Sequence, residues 1–221
     1  MILAVNGAIL WQVRDEISQY DIDNLIVISS LMDDAFENGT GIVLSDKCKI
    51  SDKAYIAENA QIVADETSSI IIDDYAVIGE DCAVIASDNS YIHIGARSLI
   101  DKETKIIAER TSQIELKNQV IVGKLCNVCV KIDSMVRIGE NICIGDSGKI
   151  GSYNQGKIII GANTTFCNNL YMESEQSQIK IGTDCMFSYY IKLNVGSHRL
   201  IEKSSDKDIT NRMPILIGNH V

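Results

Sequence analysis

The feature that most constrains this chain is a six-residue period of aliphatic side chains. From Ile50 onward these residues come in groups of three, spaced six positions apart, and each group starts 22 residues after the previous one, or 21 at the last step. Seven groups keep this phase: Ile50, Ile56 and Ile62; Ile72, Ile78 and Val84; Ile94, Ile100 and Ile106; Leu116, Val122 and Val128; Ile138, Ile144 and Ile150; Ile160, Phe166 and Met172; Ile181, Phe187 and Leu193. Each group predicts one coil of a solenoid, because a fixed period of this length is the signature of stacked repeats.

Two further columns support the same register. Strand alternation predicts inward residues two positions before the leading residue of a coil: Ile70, Ile92, Ile114, Val136, Ile158, Ile179 and Ile215. Small or medium residues for an interior corner stand four positions after it: Ala54, Ala76, Ser98, Val120, Ile142, Thr164 and Cys185. Glycine follows the leading residue at four coils, Gly95, Gly139, Gly161 and Gly182, where we expect turns with positive φ.

The composition agrees with a chain made of strands. Among 221 residues there are 37 isoleucines and one proline, a β-branched excess that favours strands over helices. We therefore predict an all-β fold, a left-handed parallel β-helix with coils of about 22 residues and three faces per coil. A right-handed parallel β-helix is the alternative, since its turns also approach this length, but it lacks the strict six-residue phase.

The first 43 residues do not follow the repeat. Leu10, Val13, Ile17 and Tyr20 recur at helical spacing. We expect residues 1–43 to form a small α/β cap over the exposed first coil, and residues 44–221 to form the β-helix domain.

Charge and targeting signals narrow the function. A formal net charge of −10 argues against non-specific binding to nucleic acid or to an anionic membrane surface. The chain has neither an apolar run long enough to span a bilayer nor a basic leader, so we expect a cytoplasmic protein without membrane insertion.

Seven scattered cysteines predict reduced thiols. Cys126 and Cys129 have the spacing of a zinc motif but opposite phases, so we expect core packing and no metal.

A polar excursion interrupts the repeat between Leu193 and Ile217. It contains Gly196-Ser197-His198-Arg199 and ends at Pro214-Ile215-Leu216-Ile217-Gly218. Residues 179–221 resemble the C-terminal half of the hexapeptide-repeat O-acetyltransferases, which include galactoside and maltose acetyltransferases and enzymes that acetylate surface polysaccharides. The residues that carry the resemblance, in order, are His198, Ile201, Ile209, Asn211, Pro214, Ile215, Ile217, Gly218 and Val221.

The resemblance implies an acetyl-CoA-dependent transfer to a sugar hydroxyl of a polysaccharide or its precursor. His198 would be the general base, because imidazole has a pKa close to working pH. Asn169 matches the position where such enzymes contact the acceptor sugar, and Asn194 and Arg199 are further expected substrate contacts. The family also implies a homotrimer, with the active site in the groove between neighbouring prisms. CoA-binding residues are not identified, although the segment 192–212 holds five basic and three acidic residues that could attract CoA phosphates.

Two departures from the family leave alternatives open. Ser197 stands beside the histidine, and no acidic residue to orient the imidazole is evident; the coils that form much of the family's acetyl-CoA groove have no counterpart after Val221. We therefore expect a domain that lacks the C-terminal coils. A non-catalytic structural β-helix is the competing hypothesis, in which Asn169 is an outward turn residue and the basic segment is a solvated loop.

Overall fold

A computed structural model describes residues 41–196 and 213–221, and in these ranges the chain forms strands and turns without a helix. The strands build three parallel sheets, A, B and C, which the chain visits in turn once per coil. Residues that pair between neighbouring strands lie 22 positions apart through most of the stack, as Lys105 and Asn127 do. The predicted β-helix fold is confirmed in its parallel sheets and its coils of about 22 residues. Residues 1–40 of the predicted cap lie outside the described residues.

Each sheet takes one strand from every coil. Sheet A contains β1 (Gly41–Val43), β4 (Gln61–Ala64), β7 (Ala83–Ser87), β10 (Lys105–Glu109), β13 (Asn127–Lys131), β16 (Lys149–Tyr153), β19 (Tyr171–Glu175) and β22 (Lys192–Val195). Sheet B contains β2 (Lys49–Ile50), β5 (Ser69–Ile72), β8 (Tyr91–Ile94), β11 (Gln113–Leu116), β14 (Met135–Ile138), β17 (Lys157–Ile160), β20 (Gln178–Ile181) and β23 (Ile215–Ile217). Sheet C contains β3 (Tyr55–Ile56), β6 (Val77–Ile78), β9 (Leu99–Ile100), β12 (Ile121–Val122), β15 (Cys143–Ile144), β18 (Thr165–Phe166) and β21 (Met186–Phe187).

The aliphatic columns face the interior, as the six-residue period predicts. In the third coil Ile94, Ile100 and Ile106 are completely buried, one on each sheet. The residues two positions before the leading one are buried in the same way from Ile70 to Ile179. Only the end coils differ, since Ile50 and Leu193, for example, are partly buried and pack against the core from its two ends. Stacking therefore supplies the core, as expected for a solenoid.

Small polar side chains at the interior corners join one coil to the next. The Thr104 hydroxyl donates to the carbonyl of Gly123 at 2.7 Å and accepts from the N–H of Cys126 at 3.1 Å. Cys126 repeats this arrangement one coil later, because its thiol donates to the Gly145 carbonyl and accepts from the Gly148 N–H, both at 3.2 Å. Burial raises the pKa of this thiol to about 12. The inward cysteine is thus part of the coil-to-coil hydrogen bonding.

The expectation of positive φ at the four glycines is wrong. None of them lies in the left-handed region, which instead falls two positions later, on Arg97, Asn141, Asn163 and Asp184. The glycines are needed because the next coil passes too close for a side chain. A Cβ on Gly95 would lie 2.6 Å from the carbonyl carbon of Lys117, and a Cβ on Gly161 would lie 2.5 Å from the carbonyl oxygen of Gly182. Close backbone approach, not turn conformation, requires glycine there.

Within residues 41–196 and 213–221, there is no helix of the length and apolar character needed to cross a membrane.

Candidate functional site

The polar excursion leaves the solenoid at one corner, between sheets A and B. It starts after β22, and the chain rejoins sheet B at β23, where Ile215 pairs with Ile179 in the expected register. The other described corners between these two sheets contain between two and five residues, whereas this one spans residues 196–214. A long connection on a rigid frame is a common location for binding and catalytic residues. Because β23 pairs with β20 in the usual register, residues 196–214 are an insertion between two strands of a regular solenoid.

The described residues nearest the start of the excursion are mostly polar. Glu173 and Glu175 point outward from β19, and Glu173 lies beside Asn194 of β22 in the parallel register. A Cβ placed on Gly196 would lie 3.2 Å from Asn194 Oδ1 and 3.9 Å from the Glu175 side chain. We call Glu173, Glu175, Asn194 and Gly196 the excursion root. Its carboxylates can accept from an imidazole N–H or a sugar hydroxyl, and the amide can donate or accept.

An aromatic and two lysines stand beside the excursion root. The Lys149 and Lys192 ammonium groups each lie 5.1 Å from the centroid of the Tyr171 ring, within the range of cation–π attraction. The Tyr171 hydroxyl donates to Glu173 at 2.6 Å, and this bond to a carboxylate raises the pKa of the phenol. Lys149 also lies 3.7 Å from the same carboxylate. The outer surface of sheet A is therefore charged and hydrogen-bonded where the excursion begins.

The predicted substrate contacts occupy different places. Asn194 is exposed on β22 at the excursion root. Asn169 is exposed in the turn between β18 and β19, with φ 64° and its N–H donating to the Asp146 carbonyl at 2.9 Å. That left-handed position suits asparagine for conformational reasons, so the turn alone accounts for it. The structure does not bring Asn169 into the excursion root. His198 and Arg199 lie outside the described residues.

Sequence reasoning missed the acidic pair at the excursion root. No acidic residue stands next to His198 in the sequence, whereas Glu173 and Glu175 come from the preceding coil. The strand alternation does predict their position. They stand one and three residues after the inward Met172, so both face outward on β19, the strand that pairs with β22.

The other two histidines lie elsewhere. His93 on sheet B forms a hydrogen bond through Nε2 with Asp73 Oδ2 at 2.8 Å, a pair that forms because Asp73 directly follows the neighbouring strand β5 one coil earlier. His220 is exposed, with Nδ1 3.9 Å from Asp184 Oδ2, beyond hydrogen-bond distance. Neither is adjacent in sequence to the excursion.

The cysteines form free thiols, all seven of them within the described ranges. Cys126 faces the core and Cys129 the outer surface of sheet A, as their phases predict. In the part of the chain that the structure describes, no three His, Cys, Asp or Glu side chains come together in a group that could hold a metal ion.

Comparison with known proteins adds no family to this picture. No protein-family model matches the chain, and no curated protein matches it. The chemistry of the excursion root therefore has to be inferred from its own residues and from the fold that presents them.

Proposed function

We propose that this protein is an acetyl-CoA-dependent O-acetyltransferase that acts on a sugar hydroxyl, of a surface polysaccharide or its precursor. The observation that carries the proposal is the corner between β22 and β23, where an otherwise regular solenoid admits residues 196–214 and then resumes in register. His198, the expected general base, is two positions after Gly196 of the excursion root in the sequence.

In the proposed reaction the His198 imidazole takes the proton of the acceptor hydroxyl as the oxygen attacks the thioester carbonyl of acetyl-CoA. The carbon–sulfur bond then breaks, the acetyl ester forms, and the imidazolium returns its proton to the CoA thiolate. In this proposal Glu173 and Glu175 are the described carboxylates that orient the imidazole, and Asn194, which is exposed beside Glu173, contacts a sugar hydroxyl. The proposal includes a homotrimer and a cytoplasmic location.

The decisive variant is His198→Ala, with His220→Ala as the matched control. We expect His198→Ala to lower the rate of acetyl transfer by about 10²–10⁴-fold, because a general base acts in the transition state. His220→Ala should keep the wild-type rate, since that exposed side chain lies outside the excursion. The measurement is thioester loss from acetyl-CoA against a panel of sugars, with acetyl-CoA affinity determined separately and expected to be unchanged.

A folded, trimeric His198→Ala protein that acetylates as fast as wild type would refute the role of this histidine. Light scattering that gives a monomer at micromolar concentration would refute the trimer.

A structural, non-catalytic role is the second candidate. It is favoured by side-chain ladders that join successive coils at the corner between sheets B and C: Asn141 donates to Asn163, and Asn163 donates to Asp184, both at 3.1 Å. Such ladders strengthen a long rigid prism. Absence of thioester loss with every sugar tested would favour this role.

A further inference from the structure

We propose that a column on the outer face of sheet A binds a linear anionic glycan and guides it along the solenoid to the excursion root. The column contains Lys105, Asn127, Lys149, Tyr171 and Lys192, and we call it the lysine column. The claim that this glycan is the acceptor rests on the proposed function. The claim that the glycan binds to the column can be tested without acetyl transfer.

The register places these five side chains in one line. Each pairs with the next across a parallel ladder, on five consecutive coils. All five point outward, and the three lysines are exposed. Since parallel strands lie about 4.8 Å apart, lysines on alternate coils are separated by about 9.6 Å. The line is parallel to the solenoid axis and ends at β22, where the excursion starts.

Two of the three lysines in the column form no ion pair with the acidic groups on this face, among the described residues. Glu109 pairs with Lys131 at 2.9 Å, and Glu173 accepts from the Tyr171 hydroxyl at 2.6 Å. Among the described residues Lys105 and Lys192 form no ion pair, whereas Lys149 has a long contact of 3.7 Å with Glu173. Positive charge on the lysine column is therefore only partly neutralised, in a chain whose net charge is −10.

The residues between the lysines add to the same surface. The Tyr171 ring lies within cation–π distance of two ammonium groups of the column, those of Lys149 and Lys192. Asn127 occupies the intermediate position as a half-buried neutral side chain, with its Oδ1 shielded from solvent. Cationic groups alternate with neutral polar groups along the column.

This pattern fits a polysaccharide with one carboxylate in each disaccharide better than it fits nucleic acid. Two coils span close to the length of one disaccharide, so successive lysines can meet successive carboxylates. A nucleic-acid strand carries a phosphate about every 3.4 Å, which leaves most phosphates unneutralised by such widely spaced lysines. The net negative charge of the chain also opposes a densely charged polyanion.

The test measures binding of fluorescein-labelled hyaluronan oligosaccharides, which carry one carboxylate per disaccharide, by fluorescence anisotropy without acetyl-CoA. Labelled dextran is the neutral probe and labelled oligothymidylate the nucleic-acid probe. The variant K105Q/K149Q/K192Q removes the charges of the lysine column. The variant K49Q/K157Q/K180Q removes three exposed lysines from sheet B and is the matched control.

We expect wild type to bind hyaluronan more tightly than dextran, with an affinity that falls on going to about 0.3 M salt. The lysine-column variant should bind about tenfold more weakly, because three exposed ion pairs are lost, whereas the sheet B variant should stay within about twofold of wild type. Equal losses in both variants, equal binding of dextran, or equally tight binding of oligothymidylate would overturn the proposal.

The outcomes separate this inference from the proposed function. His198→Ala should keep hyaluronan binding even though acetyl transfer is lost. If the protein transfers acetyl groups to neutral sugars but does not bind hyaluronan, glycan binding at the lysine column is refuted and the proposed enzyme activity is supported. Hyaluronan binding without thioester loss from acetyl-CoA in the presence of any sugar would support the lysine column and refute the proposed enzyme.

Discussion

The two halves of sheet A have the same inner face and different outer faces. In the N-terminal half the central outward column is apolar, with Val63, Ile85, Ile107 and Cys129 in register. In the C-terminal half the same column continues as Gly151, Glu173 and Asn194. The inward residues stay mainly small or apolar throughout.

The change takes place at Gly151, where Tyr153 covers the backbone. A Cβ on Gly151 would lie 2.7 Å from the Tyr153 hydroxyl, so the ring lies over a position that has no side chain of its own. The interior is constrained by stacking, whereas the exterior is free to vary from coil to coil. The polar side chains that can bind or react, Glu173 and Asn194, therefore lie on the outer face of the C-terminal half, beside the excursion.

The largest effect should separate the two faces of one strand. Ile106→Asp in β10 places a charge in the completely buried column and should cost more than about 4 kcal/mol, enough to unfold the neighbouring coils. Ile107→Asp, one residue away on the outer face, should cost about 1 kcal/mol. Urea denaturation of both variants measures the difference. Equal destabilisation would show that the outer column of the N-terminal half is also part of a buried core.

A smaller effect is expected where the outer face changes. Tyr153→Ala should cost about 1–2 kcal/mol and uncover Cys129, which pairs with Gly151 across the sheet. Burial raises the pKa of the Cys129 thiol, so exposure should lower that pKa and speed alkylation. Peptide mapping after timed iodoacetamide treatment gives the rate for this cysteine alone. Tyr153→Phe keeps the ring and is the control; a wild-type rate in Tyr153→Ala would contradict the covering role.

The smallest effect concerns a short corner, in contrast to the long one at the excursion. The Asp65 carboxylate accepts from the N–H groups of Asp88 at 2.6 Å and of Thr67 at 2.9 Å, which lowers its pKa. A lowered carboxylate pKa stabilises the fold above the unfolded pKa of about 4, and this contribution is lost as the pH falls through the folded value.

Asp65→Ala should therefore cost about 1 kcal/mol at neutral pH, since the group is exposed to water. The difference from wild type should narrow as the pH falls below about 4. Thermal unfolding across this range checks both the size and the sign. A cost that grows in acid would show that the charge of Asp65 opposes folding.

The sequence predicted the solenoid well because stacking leaves few choices for inward positions. Ile94 and its equivalents had to be aliphatic, and the period revealed them. The left-handed positions were not predictable from composition, since Arg97, Leu125 and Ile132 all adopt positive φ without being typical residues for it. Glu173 was missed because contacts between coils join residues about 22 positions apart, which a search along the sequence does not see.

Pairing between consecutive coils alone has a consequence for how the chain emerges from the ribosome. Each strand needs only the strand one coil earlier as its template, so a new coil can form as soon as its residues are available. At ordinary elongation rates one coil is synthesised in about 1–4 s. The excursion lengthens this interval, because residues 196–214 must be synthesised before Ile215 can pair with Ile179. The end of the solenoid that carries the excursion root is therefore completed after the longest interval of translation between two paired strands.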